Sequence, residues 1–263
     1  MPDHAVALLI LGVAAGVLSG MFGIGGGVVI VPALSVLFGF ELQNAIGTSL
    51  GVLVMPVSFF AVLAYYRADL LQISAASLIA LGLIGGGVVG AQIALGLPGG
   101  LLKQLYGLFL IYVGWRFAEP RKVWAERRGT QKKSDPSQAP AQREAPWYGM
   151  LAVGLGAGVA SGLFGIGGGL VIVPVLVGLL RYEQKRAVGT SLAALLPPVG
   201  LGAVLSYYDA GKVELNVVVF IAAGLVIGAF AGAKIALGLP SATIKRLYGV
   251  FLLLVSLRFI LGL

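Results

Sequence analysis

Five stretches of apolar residues, at 5–20, 28–39, 45–65, 73–96 and 102–117, fill the first part of the chain, with short polar or glycine-rich interruptions between them. At 1.5 Å per residue, roughly twenty residues cross the hydrocarbon of a bilayer. The last three stretches are therefore predicted crossings. The first two are shorter and meet at a glycine cluster, Gly23 to Gly27, which predicts two half-helices or short tilted helices. Glycines in such a run interrupt helical hydrogen bonding. Unpaired backbone at membrane depth is tolerated only against protein or a watery cavity, so the break is expected in the interior.

The pattern then repeats. Ser19-Gly20-Met21-Phe22-Gly23-Ile24-Gly25-Gly26-Gly27 returns as Ser161-Gly162-Leu163-Phe164-Gly165-Ile166-Gly167-Gly168-Gly169, at an offset of 142 positions. The same offset carries Pro32 onto Pro174, Gly47-Thr48-Ser49-Leu50 onto Gly189-Thr190-Ser191-Leu192, Pro56 onto Pro198, and Tyr65-Tyr66 onto Tyr207-Tyr208. It still holds at Leu105-Tyr106-Gly107 and Leu247-Tyr248-Gly249. The chain thus reads as two copies of one unit, 1–118 and 147–263, joined by a basic segment, 119–146, too polar to enter a bilayer. The predicted architecture is all-α, with about 8–10 crossing or half-crossing segments.

Composition narrows the solvent. A mean hydropathy of +1.00, with 59% hydrophobic and 11% charged residues in 263, excludes a water-soluble globule with a charged shell. The net charge of +8 does not point to nucleic acid, because the basic residues gather between apolar stretches and in the linker. The absence of Cys removes disulfides and thiolate chemistry. The run Ala5 to Gly16 follows Asp3 and His4 and has a counterpart in the second copy, so it is expected to stay in the mature protein rather than act as a signal.

Charge also predicts orientation. Arg121, Lys122, Arg127, Arg128, Lys132, Lys133 and Arg143 place the linker in the cytoplasm. Walking outward from it, the loop with Arg181, Lys185 and Arg186 falls inside, and its equivalent at Glu41 to Asn44, without Lys or Arg, falls outside. Lys245 and Arg246 also fall inside, against the single Lys103 outside; Arg258 runs against the trend. This distribution favours inverted copies, with two parallel four-helix units as the rival.

Glycine-interrupted segments at matching positions of inverted units are the pattern of secondary transporters that bind substrate near the midplane. Hairpins entering from opposite faces would bring Gly23, Gly25, Gly26 and Gly27 to Gly165, Gly167, Gly168 and Gly169. Each break would then offer free N–H groups and a positive dipole end to an anion. The competing role for these glycines is close helix packing. Thr48, Ser49, Thr190 and Ser191, in the first turns of the following crossings, are candidate donors to substrate oxygens, or else bond their own preceding carbonyls. Gln92 and its equivalent Lys234 are a polar pair inside an apolar helix and so candidate substrate or coupling contacts, or Lys234 snorkels to the interface. The tyrosine pairs read as interface anchors, and Arg67, Asp69, Asp209 and Lys212 as solvated loop residues. With one His, no Cys and no Asp or Glu deep in a predicted crossing, neither a metal site, a cofactor, an intramembrane hydrolase nor a cation relay is expected.

Phe22 to Gly27 through Pro32 with Ala45 to Ser49, and again Phe164 to Gly169 through Pro174 with Ala187 to Ser191, resemble the TauE/SafE family of membrane permeases, also called the sulfite exporter or toluene sulfonate uptake family. The resemblance covers nearly the whole chain except the linker, which is longer than the family's short connection. It implies a multi-pass carrier of the bacterial inner membrane for sulfite, sulfoacetate or other sulfonates; the duplicated breaks add the expectation of alternating access, with export as the expected direction. Expected partners are therefore a small anion and the lipid bilayer, with a homo-oligomer left open. The alternatives are a passive anion channel, and a membrane scaffold or regulatory subunit that binds partners through the linker.

Overall fold

The computed structural model describes residues 5–118 and 146–238, with Leu253 and Ser256. Regular structure among these is entirely helical: α1 (Ala5–Phe22), α2 (Gly27–Leu37), α3 (Leu42–Val54), α4 (Phe59–Arg67), α5 (Ile73–Gly96), α6 (Gly99–Ala118), α7 (Trp147–Phe164), α8 (Gly169–Gly178), α9 (Gln184–Ala194), α10 (Leu201–Asp209) and α11 (Leu215–Gly238). The chain is an all-helical membrane protein. Among the described residues α1, α5, α7 and α11 are long and apolar enough to cross a bilayer, and α3 and α4 are so only when taken together as a bent pair. The linker before Pro146, and Lys245, Arg246 and Arg258, lie outside the described residues.

Two expectations about the runs need correction. Half-helices were expected on both sides of the glycine cluster, but α1 and α7 extend through Phe22 and Phe164 to 18 residues each, so that only α2 and α8 are short. The run 45–65, expected as one straight crossing, is broken at Met55–Ser58, where α3 and α4 meet at 50°. Pro56 is the cause. It lacks an N–H and pushes the residue before it out of the helical region, and Met55 is extended at φ −68°, ψ 147°. In the second copy α9 stops at Ala194, ahead of Pro197 and Pro198.

The described helices fall into two compact units, α1–α5 with α7–α11 in one and α6 in the other. Helices of both sequence copies thus share the first unit, which holds the site. Its framework is two long helix pairs, each joining the copies. A Cβ built on Gly12, Gly16 or Gly20 of α1 would run into the carbonyl oxygens of Ile221, Leu225 and Ala229 of α11; Gly82, Gly86 and Gly90 of α5 stand likewise against Leu151, Leu155 and Val159 of α7. Glycine at every fourth position lets the backbones touch, giving dispersion contact without the hydrophobic drive that lipid removes. Sequence numbers rise together along both pairs, so the partners run parallel.

Side chains at the helix ends fix the remaining directions. Gln43 Nε2, at the start of α3, donates to the Ala94 carbonyl at the end of α5 (3.0 Å), and its equivalent Lys185 Nζ donates to the Leu237 carbonyl at the end of α11 (2.9 Å). These are orphan C-terminal acceptors, and a cation there also suits the dipole. The Gln72 N–H, at the start of α5, donates to Thr190 Oγ1 of α9 (3.1 Å), close to Lys185 and hence to the end of α11. α5 therefore starts where α11, and with it α1, ends. This is the arrangement that inverted copies produce.

Candidate functional site

Each chain break is built on glycine for a backbone reason. Gly23, Gly25 and Gly26 have φ of +68°, +81° and +81°, and Gly165, Gly167 and Gly168 have +68°, +79° and +75°. A side chain in this left-handed region costs about 1–2 kcal/mol per residue. The twisted backbone leaves helix-end donors and acceptors without intrahelical partners. Side chains claim two of the acceptors in the first copy: Tyr65 Oη donates to the Gly20 carbonyl (3.1 Å), and Ser191 Oγ donates to the Gly23 carbonyl (2.9 Å). In the second copy Tyr207 Oη serves Gly162 (3.0 Å) and Ser49 Oγ serves Gly165 (2.8 Å). Donors are left over. Among the described residues no carbonyl accepts from the amides of Gly25, Gly26 or Gly27, nor from those of Gly167 or Gly168.

The breaks lie against each other. A Cβ on Gly25 would sit 3.4 Å from the Gly167 Cα, and one on Gly27 would strike the Gly165 carbonyl, as one on Gly169 would strike the Gly23 carbonyl. Beside this contact is a cavity of about 30 Å³, walled by Ser19, Gly25, Leu50, Leu53, Val57 and Ser58 from the first copy. Ser161, Gly167, Leu192, Leu195, Val199 and Gly200 complete it from the second. A water needs roughly 10–15 Å³ by this measure, so the cavity has room for about two waters. Its two sets of wall residues correspond position by position at the offset of 142. The two-fold is chemically broken at one place, Ser58 against Gly200.

Of the residues singled out in the sequence, Gly25 and Gly167 stand in the cavity wall. Gly27 and Gly169 form the tight contact between copies, and Gly23 and Gly165 pack on Val188 and Ile46. Gly26 and Gly168, which cap α2 and α8, face Leu225 and Leu83. The four hydroxyl residues are cross-braces rather than bonds to their own helices: Ser49 and Ser191 hold the opposite break, while Thr48 Oγ1 and Thr190 Oγ1 accept the N–H groups of Glu214 and Gln72 (both 3.1 Å). Gln92 and Lys234 do not line the cavity. Gln92 Nε2 donates to Ser206 Oγ (3.3 Å), and Lys234 Nζ lies over the exposed Phe230 ring, 4.4 Å from its centroid.

Three positions were missed. Ser19, Ser161 and Ser58 are 1%, 8% and 7% exposed, and among the described residues none of their hydroxyls has a hydrogen-bond partner. Ser19 and Ser161 stand in the duplicated motif four residues before the first glycine of the break, and this matched placement is their signal in the sequence. The tyrosines also need correction. Of the two duplicated pairs, Tyr66 and Tyr208 are exposed, as anchors would be, and Tyr65 and Tyr207 are fully buried. Lys212 is part-exposed, in keeping with a solvated loop residue, and pairs at the surface with Glu41 of the other copy at 2.7 Å.

Comparison with known proteins finds membrane transporters. The family model described as sulfite exporter TauE/SafE matches residues 8–259, a span that includes both breaks and every cavity residue. The chain belongs to the sulfite exporter TauE/SafE family. Among its TauE/SafE relatives are the probable membrane transporter protein MJ0441 of Methanocaldococcus jannaschii, 28% identical over 87% of this chain and 85% of its own, and the probable membrane transporter protein YunE of Bacillus subtilis, 27% identical over 97% of both. A further relative, the probable membrane transporter protein YdhB of Bacillus subtilis, is 26% identical over 88% of this chain and 89% of its own. No solved structure matches the chain.

Proposed function

We propose that this TauE/SafE protein is a secondary carrier that moves a small sulfur oxyanion or sulfonate out of the cell across the cytoplasmic membrane, binding it in the cavity beside the two breaks. The observation that carries the reading is that Gly25 and Gly167, whose amides have no carbonyl partner among the described residues, both stand in the wall of one cavity beside the hydroxyl residues Ser19 and Ser161. An anion beside two helix N-termini gains up to ~2 kcal/mol from each, and hydrogen bonds to a charged group are worth ~1.5–3 kcal/mol apiece. Together these offset a desolvation penalty of several kcal/mol for a single charge. The family's description supplies the substrate class.

Alternation follows from inversion. When two inverted copies hold slightly different conformations, exchanging those conformations turns a cavity open to one side into the same cavity open to the other. The basic linker then lies on the cytoplasmic face. The test is sulfite flux in proteoliposomes. Ser19→Ala with Ser161→Ala removes both paired hydroxyls without adding bulk, and should lower the apparent affinity roughly tenfold or more while the protein purifies and melts as the parent does. Unchanged flux from a folded double variant would mean that the solute passes elsewhere.

A further inference from the structure

The cavity's composition says more than that it takes an anion. No Lys, Arg or His lines it among the described residues, and Leu50, Leu53, Leu192, Leu195, Val57 and Val199 make most of its wall. The polar groups that remain are the three unpartnered hydroxyls of Ser19, Ser161 and Ser58, beside the free amides of the breaks. All of these are neutral. Resting on the carrier reading above, we propose that the cavity selects singly charged anions presenting a face of three oxygens, such as hydrogensulfite or a small monosulfonate, and rejects dianions such as sulfate, sulfite and sulfoacetate.

The reason is how desolvation grows with charge. The Born cost of entering a medium of low dielectric scales with the square of the charge, so a dianion costs roughly four times a monoanion, whereas attraction to fixed neutral dipoles only doubles. No cationic side chain and no metal-ligating cluster faces this cavity among the described residues to offset the larger cost. The apolar wall suits the substituent of a sulfonate or the lone-pair side of hydrogensulfite. Three hydroxyl donors match three sulfur-bound oxygens in number. Ser58, whose counterpart is Gly200, supplies the third and makes the site unsymmetrical, which makes it the specificity-determining position.

The experiment uses the full-length protein in proteoliposomes, with labelled sulfite at fixed total concentration, across the pH range in which hydrogensulfite loses its proton. Methanesulfonate, a monoanion throughout, and sulfate, a dianion throughout, serve as competitors. Sulfite flux should fall with rising pH in step with the hydrogensulfite fraction. Methanesulfonate should inhibit equally at every pH, which separates titration of the substrate from titration of the protein, and sulfate should inhibit at least about a hundredfold more weakly. Ser58→Ala should weaken methanesulfonate inhibition roughly tenfold and keep the preference over sulfate. If sulfite is carried but sulfate competes as well as methanesulfonate, or flux is flat with pH, the charge rule falls and the carrier stands. If Ser58→Ala leaves inhibition unchanged, the three-donor site is wrong. If no sulfite is carried, the carrier reading falls and this inference with it.

Discussion

At the scale of single residues, adjacent positions of like type have opposite work. Tyr65 is buried and spends its hydroxyl on a helix-end carbonyl of the other side of its own copy, while Tyr66 beside it is exposed. Tyr65→Phe leaves the Gly20 carbonyl unpaired in a buried place and should destabilise the protein by about 1–3 kcal/mol, with Tyr66→Phe close to neutral. Thermal unfolding of the two variants in one detergent checks this, and equal melting temperatures would contradict it. The sequence displayed the tyrosine pair in both copies but not which member faces inward. The same holds for Ser49 and Ser191. Their hydroxyls were legible as buried polar groups of unusual placement, yet their acceptors, Gly165 and Gly23, lie 116 and 168 positions away in the other copy. No local rule reaches across such a separation, and a hydroxyl that reads as a substrate donor proves to brace the opposite break.

At the scale of elements, the glycine breaks were legible because positive φ leaves a signature in residue type. The bend between α3 and α4 was also present in the sequence as Pro56, and the strength of the surrounding apolar run concealed it. The periodic glycines at 12, 16 and 20 and at 82, 86 and 90 carried a packing signal of equal clarity; only the partner helix was invisible, since it belongs to the other copy. This packing is testable one residue at a time. A Cβ on Gly86 would collide with the Leu155 carbonyl, whereas one on the exposed Gly85 meets nothing nearer than 4.0 Å. Gly86→Ala should force the helix pair apart at a loss of about 1–3 kcal/mol, and Gly85→Ala should gain up to about 1 kcal/mol from lower backbone entropy in the unfolded chain. Denaturant unfolding in detergent reads both. Similar stabilities for the two variants would contradict the pairing of α5 with α7.

At the scale of the whole molecule, every cross-brace around the breaks has a twin at the constant offset; the tyrosine bonds stay within a copy, and the serine and threonine bonds are exchanged between copies. That exchange explains why duplication was evident in the chain while the cavity was not: its two halves become adjacent only after folding. Inversion makes a prediction of its own. With the linker cytoplasmic, a reporter fused after Leu263 should be active outside the membrane, and a cytoplasmic signal would favour parallel copies. The central claim is that a small anion sits beside Gly25 and Gly167, and the most direct measurement is a structure determined with selenite, whose selenium scatters anomalously. The account predicts one selenium peak in that cavity, within hydrogen-bond reach of Ser19 and Ser161. A protein that transports selenite but places its selenium away from the two breaks would contradict it.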